Sequence, residues 1–242
     1  MRSLLLPLCV VTLLLAACGS DDKKGDGYSP VDVPTAPPTF STGSDDLSGT
    51  TLWIASSGTT VLDVVENVSG TTSTRTDTET ASTTTIDSVD AIMVDLTSTD
   101  PSEDETSYYA LADDGWIYSY NGTDWEIFAP ETLTAGTKWT ISETETSGAD
   151  TITVTATVRV ISIDATAPEG TTGTIHLQSS LSSSGTLFGA PFTANATQDS
   201  YYEPGVGMVA EEANSTGSWG GLPLNGTLTR TRTSFAPLLA NG

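Results

Sequence analysis

Apolar and polar residues alternate along most of this chain with a period of two, the pattern of half-buried strands. The cleanest run is 151–160. Ile152, Val154, Ala156, Val158 and Val160 fall on one phase, and Thr151, Thr153, Thr155, Thr157 and Arg159 on the other. Ile161 and Ile163 then take up the opposite phase, which predicts a β-bulge or bend near Val160. Residues 138–146 are expected to pair with this run across a turn at 147–150. Another hairpin is predicted around Asn121-Gly122, a dipeptide favoured where both turn positions need positive φ. A two-residue loop there sets Tyr120 opposite Thr123, Tyr118 opposite Trp125 and Trp116 opposite Ile127. Trp116, Tyr118, Tyr120, Trp125 and Ile127 then share one face.

Further strands are predicted at 51–55, 60–68, 86–96, 174–181 and 226–235, with a turn and strand over 201–212. Pro204-Gly205 fits the two centres of a type II turn. Residues 71–85 are nearly all Thr, Ser, Asp and Glu, and read as a solvated edge hairpin or a loop. Residues 98–106 read as an acidic loop and 185–196 as irregular. Helical periodicity is almost absent. The expected fold is all-β, an antiparallel meander curled into a barrel or half barrel, with a β-sandwich as the alternative.

The N-terminus follows another rule. Arg2 is followed by an apolar run at 4–15, about 12 residues long, and by small residues before Cys18. That is a signal-peptide pattern, too short for a permanent membrane helix, which needs roughly 20 apolar residues. Leu15-Ala16-Ala17-Cys18 resembles the bacterial lipobox. The resemblance implies cleavage before Cys18, a diacylated thiol and an acylated amine, with chains such as palmitate. An ordinary secretory peptide cut after Ala17 is the other reading, and it leaves a single unpaired cysteine. Gly19 stands where the enteric sorting rule places Asp for inner-membrane retention, so the resemblance implies the outer membrane, on its periplasmic face or at the cell surface. The expected division is a signal peptide at 1–17, lipidated Cys18 with a flexible tether at 18–46, and one β-domain at 47–238. The tether carries Pro30, Pro34, Pro37 and Pro38; its average reach is roughly 30 Å.

Composition narrows the function. The chain has 31 acidic against 8 basic residues, a net charge of −23. Such a surface repels phosphate backbones and argues against nucleic-acid binding. The membrane partner is then reached through acyl chains, two or more of which anchor stably. Cys9 and Cys18 are the only cysteines, so the β-domain holds without disulfides. Threonine supplies 43 residues and suits the exposed face of a strand.

Chemical motifs are few. His176 is the lone histidine, and no Gly-x-Ser-x-Gly elbow accompanies it. No second histidine or mature cysteine builds a zinc site, no Asp-x-Asp-x-Asp-Gly loop reads as a calcium site, and no phosphate or dinucleotide fingerprint implies a cofactor. No catalytic or metal-binding residue is therefore assigned. The candidate ligand-contacting residues are Trp116, Tyr118, Tyr120 and Trp125, as a platform for an apolar or sugar ligand or as core. Arg230 and Arg232 join them, as partners of cross-strand acids or as an anion clamp at the sheet edge.

A second likeness lies further along. Ala167-Pro168-Glu169-Gly170-Thr171 is followed by Tyr201-Tyr202-Glu203-Pro204-Gly205-Val206-Gly207-Met208-Val209. The pair resembles uncharacterised bacterial lipoproteins and secreted β-domains carrying a Tyr-x-x-Gly-Val-Gly-Leu-Val strand. It implies a curled all-β sheet like the lipoprotein-carrier half barrels, and no known activity. The expectation is an envelope-anchored, non-catalytic lipoprotein that binds or scaffolds; a surface hydrolase and a structural or adhesive surface protein are the alternatives.

Overall fold

The computed structural model describes residues 27–41 and 57–237. Cys18 and the strand expected at 51–55 lie outside the described residues. Within them the fold is all-β, a single sheet of 13 strands. The first half contains β1 (Ser29–Pro30), β2 (Gly58–Val68), β3 (Thr71–Ile86), β4 (Val89–Ser98), β5 (Glu105–Leu111), β6 (Trp116–Tyr120) and β7 (Trp125–Pro130). The second contains β8 (Thr137–Ser147), β9 (Asp150–Thr166), β10 (Thr172–Leu187), β11 (Ala190–Glu203), β12 (Gly207–Trp219) and β13 (Leu222–Ala236). A 3-10 turn at Pro101–Glu103 occupies the expected acidic loop.

The sheet order is β1-β8-β9-β10-β11-β12-β13-β2-β3-β4-β5-β6-β7. Two antiparallel meanders, β2–β7 and β8–β13, are joined by the pairing of β13 with β2. Strands β7 and β8 follow one another in the chain yet lie towards opposite ends of the sheet. Tyr109 of β5 and Tyr202 of β11 are separated by five strands in the sheet order, and both pack against one apolar cluster. That cluster holds Trp116, Ile117, Tyr118, Trp139, Val158, Val160, Ile175 and Leu177. Gly185 and Gly217 permit close strand approach: a Cβ at the first would overlap the Thr151 carbonyl oxygen, and at the second that of Thr193.

The alternation of 152–160 sets these side chains on the buried phase, with Val160 fully covered. The predicted phase change shows as a register shift: Leu177 pairs with Val160 but His176 with Ser162, which skips Ile161. Pro204-Gly205 makes its turn, with φ +72° at Gly205 and Val206 N donating to Glu203 O at 3.0 Å.

Three local expectations are corrected. Residues 71–85 are no edge hairpin or loop; they form most of β3, which pairs with β2 on one side and β4 on the other. Threonine's preference for strands explains this once the inner phase carries Arg75, Asp77, Glu79 and Ala81. Residues 185–196 are not irregular, since β10 and β11 run through them to a turn at Phe188-Gly189. The strand ending the domain is no edge either, because β13 pairs with both β12 and β2.

Residues 27–41, within the stretch read as tether, lie against both ends of the sheet. Ser29 and Pro30 pair in parallel with Thr137 and Lys138, and Val31 N donates to Lys138 O at 2.7 Å. At the other end Asp113 N donates to Thr39 O at 2.9 Å, and Ser41 N to Asp113 Oδ1 at 3.0 Å. Val31, Val33 and Phe40 pack on the main cluster, which supplies the apolar contact that ordering the backbone requires. The turns following β8, β10 and β12 gather at the end of the sheet opposite to where β1 joins β8. Phe188, Trp219 and Leu222 are exposed there, and Trp219 Nε1 donates to Leu187 O at 2.9 Å.

Candidate functional site

The aromatic hairpin forms with a longer loop than the Asn-Gly pair predicts. Asn121 lacks positive φ. Its side-chain oxygen instead accepts from Thr123 N at 2.9 Å and Asp124 N at 2.8 Å, an Asx arrangement that closes a four-residue loop. Tyr120 faces Trp125 and Tyr118 faces Ile127. The register moves by two residues, so Tyr118, Tyr120, Trp125 and Ile127 keep a common face. A shift after Ile117 then sets Trp116 opposite Pro130.

This face is covered from within the chain. Phe40 lies 6.1 Å from Tyr118 and 5.1 Å from Trp125, centroid to centroid. Trp116 meets Trp139 edge-on at 6.5 Å. Trp116 and Tyr118 are buried, while Tyr120 and Trp125 are half-buried. The Tyr118 hydroxyl donates to Asp114 Oδ2 at 2.8 Å, and burial, followed by this bond, pushes its pKa up.

His176 lies on the phase of β10 opposite Ile175 and Leu177. It bonds Asp199 Oδ1 through Nε2 at 2.8 Å and stacks on Tyr201 at 4.3 Å. Gln178 Nε2 donates to the same carboxylate at 3.3 Å.

Arg230 and Arg232 point to the inner face, and there the structure places chemistry that the sequence pattern did not reveal. One cross-strand row reads Ser200, Glu211, Arg230, Val64, Arg75. Beside it, Arg232, Leu62 and Asp77 form a second row. Thr60, Glu79, Leu96 and Glu105 form a third. A belt of charge therefore crosses a face that elsewhere mixes apolar residues with buried Ser179, Ser183 and Gln198.

The ion pairs of the belt are unevenly shared. Arg75 bonds Asp77 at 3.2 Å and Glu66 at 2.9 Å, and lies 3.5 Å from Glu103. Arg232 pairs with Glu203. Arg230 lies 3.8 Å from Glu211 and also acts on Glu79 and Glu105. Burial pushes the carboxyls of Glu79, Glu105 and Glu211 above their ordinary range, with Arg230 opposing in each case. For Arg230 burial works against the charge, but Glu211, Glu79 and Asp77 outweigh it and hold the guanidinium charged. Burial pushes Tyr109 up to about 12 and raises Tyr202 as well.

Two features distinguish this belt from a filled core. Glu79, Tyr109 and Tyr202, beside the ion pairs, are half-buried and keep some accessible surface. Glu211 is 2% exposed and Gln198 5%, yet Oε1 of each has no hydrogen-bond partner. Buried acceptors left unmatched cost about 1–3 kcal/mol each. Gln198 spends its amide on Ser200 Oγ at 2.9 Å.

Comparison with models of known protein families, with curated proteins and with solved structures finds no match to this chain.

Proposed function

We propose that this chain is a non-catalytic lipoprotein, tied to the outer membrane through acylated Cys18, whose sheet curls into a barrel or half barrel and holds a ligand against its inner face. The observation that carries the reading is the belt: buried polar atoms without a hydrogen-bond partner on Glu211, Gln198, Arg75, Arg230 and Arg232, beside the half-buried Glu79, Tyr109 and Tyr202. A scaffold built only to pack would fill such a face with apolar side chains.

Other features support the same reading. The outward phase of β9–β13 is mostly Thr, Ser, Asn, Asp and Glu, which is no lipid-facing band, so attachment falls to the acyl chains. His176 is engaged by Asp199 and Tyr201 on the outer phase, away from the belt, which weighs against a hydrolase. Cross-strand hydroxyl pairs such as Thr140–Thr157 at 2.9 Å and Thr144–Thr153 at 3.0 Å favour the structural or adhesive reading as second choice.

Native mass spectrometry of the protein extracted from its own envelope tests the main reading. A bound small molecule, lost from variants of the belt, is expected; a bare protein in every preparation would favour the adhesive reading. Cys18→Ser should move the protein from the membrane to the soluble fraction, and retention on the membrane would end the lipobox assignment.

A further inference from the structure

We propose that the turns joining β10 to β11 and β12 to β13 form a lipid-contacting tip, which seats Phe188, Trp219, Leu222 and Leu224 in the interface of a zwitterionic bilayer. The inference goes beyond the binding reading above and does not depend on the belt.

The patch begins in the strand register. Trp219 pairs with Phe192 on one side and Leu222 on the other, Leu224 pairs with Gly217, and Val68 with Gly226. These residues share the phase of the buried Phe192, Ala213 and Leu228. The inner phase thus stays apolar to the end of the strands, where its side chains emerge into solvent. Leu222 is 67% exposed, and Phe188, Trp219, Leu224 and Val68 are exposed with it. Phe188 meets Trp219 edge-on at 5.9 Å, so the two turns share one apolar surface rather than bearing scattered side chains. Phe188 also sits at φ +53°, a conformation that costs a bulky residue stability. A turn built only to reverse the chain would place Gly or Asn there.

Charge and hydrogen bonding select the partner. Residues 67–74, 170–198 and 213–229 contain no Asp, Glu, Lys or Arg, in a chain with a net charge of −23. These stretches supply both turns and the neighbouring turn at Ser69-Gly70. On the far side of β9, β8 carries Glu143 and Glu145, so the uncharged zone centres on β10–β13. Polar groups at the turns are matched within the chain. Asp150 accepts from Phe188 N at 2.7 Å and Gly189 N at 2.8 Å. Gly220 N donates to Pro191 O at 2.8 Å, Trp219 Nε1 donates to Leu187 O at 2.9 Å, and the Thr193 and Ser218 hydroxyls pair at 3.1 Å. A protein partner is held in register by charges and open hydrogen-bonding groups. A lipid interface needs neither and penalises both, and tryptophan favours it. The net charge sets the headgroup, because an acidic chain is repelled by anionic lipid. Contact at the tips alone agrees with the polar outward phase of β9–β13.

The test uses the chain from residue 18 onward carrying Cys18→Ser, free of acyl chains, with phosphatidylcholine vesicles. The protein is expected to float with the vesicles, and brominated phosphatidylcholine should quench its tryptophan emission. Trp219→Phe should still float but lose most of that quenching. Phe188→Ser with Leu222→Ser should lower the bound fraction at least about fivefold, since binding scales with apolar area buried. Both substitutions fall at exposed positions, and circular dichroism checks that the sheet is intact. Vesicles containing phosphatidylglycerol should bind less, with the difference fading in high salt. Absence of flotation by the unsubstituted tip overturns the inference and needs no variant. Flotation unchanged in the folded double variant overturns it as well. A dimer in sedimentation velocity that the double variant dissociates, without flotation, overturns it in favour of a second copy of the chain.

Discussion

Phe40 stacks obliquely on Trp125 with ring centroids 5.1 Å apart and planes at 52°. A residue ahead of the described β2–β13 body thus covers the aromatic hairpin where a flat ligand would have to stack. Phe40→Ala should lower stability by about 1.5–3 kcal/mol, the worth of one large apolar side chain, and shift tryptophan emission to the red as Trp125 meets water. An unchanged denaturation midpoint would return the hairpin to consideration as an open platform.

The Asp114 carboxylate organises the entry to that hairpin. It accepts from Trp116 N at 3.0 Å and from the Tyr118 hydroxyl at 2.8 Å. Tyr118→Phe should cost about 1–3 kcal/mol, as a hydrogen bond to a charged group does. Asp114→Ala should cost more, because it strands both donors. Urea unfolding of the two variants measures the order; equal losses would mean the backbone bond adds nothing.

The belt predicts an unusual pH response. Burial is the largest effect on Glu79, with Glu211, Asp77 and Glu105 adding to it and Arg230 alone opposing. Its folded-state pKa therefore lies above the ordinary 4.5. A carboxyl raised in this way stabilises the fold fully below its unfolded pKa and loses that contribution as pH rises through the folded value. Glu79→Gln should raise the urea midpoint at pH 7, and the gain should shrink towards pH 4.5. A lower midpoint at pH 7 would show that the attraction of Arg230 outweighs burial.

Two glycines separate crowding from backbone preference. A Cβ on Gly185 would overlap the Thr151 carbonyl and lie 2.9 Å from the Ile152 Cα, so Gly185→Ala should cost well over about 2 kcal/mol. Gly148 has φ +66° with open space around it, and Gly148→Ala should cost only about 1 kcal/mol. Similar losses from both would mean that the sheet relaxes at Gly185.

How much of this was legible in the sequence depended on which phase of each strand was apolar. β9 announced itself because Ile152 to Val160 alternate with threonines. β3 did not, because its inner phase includes Arg75, Asp77 and Glu79, and a scan for buried hydrophobics passes over buried charge. The hairpin face survived an error in loop length because a shift of two residues preserves side-chain parity. The position of β13 between β12 and β2, and the docking of Phe40, rest on partners far along the chain. The belt was hidden for the same reason: Glu79, Glu211 and Arg230 stand on three strands and become neighbours only through register. Arg230 and Arg232 were singled out as a pair, and their acid partners could not be named without it.

The point where the chain joins the sheet sets a direction for the whole molecule. β1 meets β8 at its first residues, while Phe188, Trp219 and Leu222 stand exposed at the far turns. The 11 residues of β8 set the two ends about 35 Å apart. A molecule moored at its N-terminus would keep its entry end towards its own lipids. Moored through Cys18 as proposed, it would hold the exposed aromatic turns at the end away from the anchor.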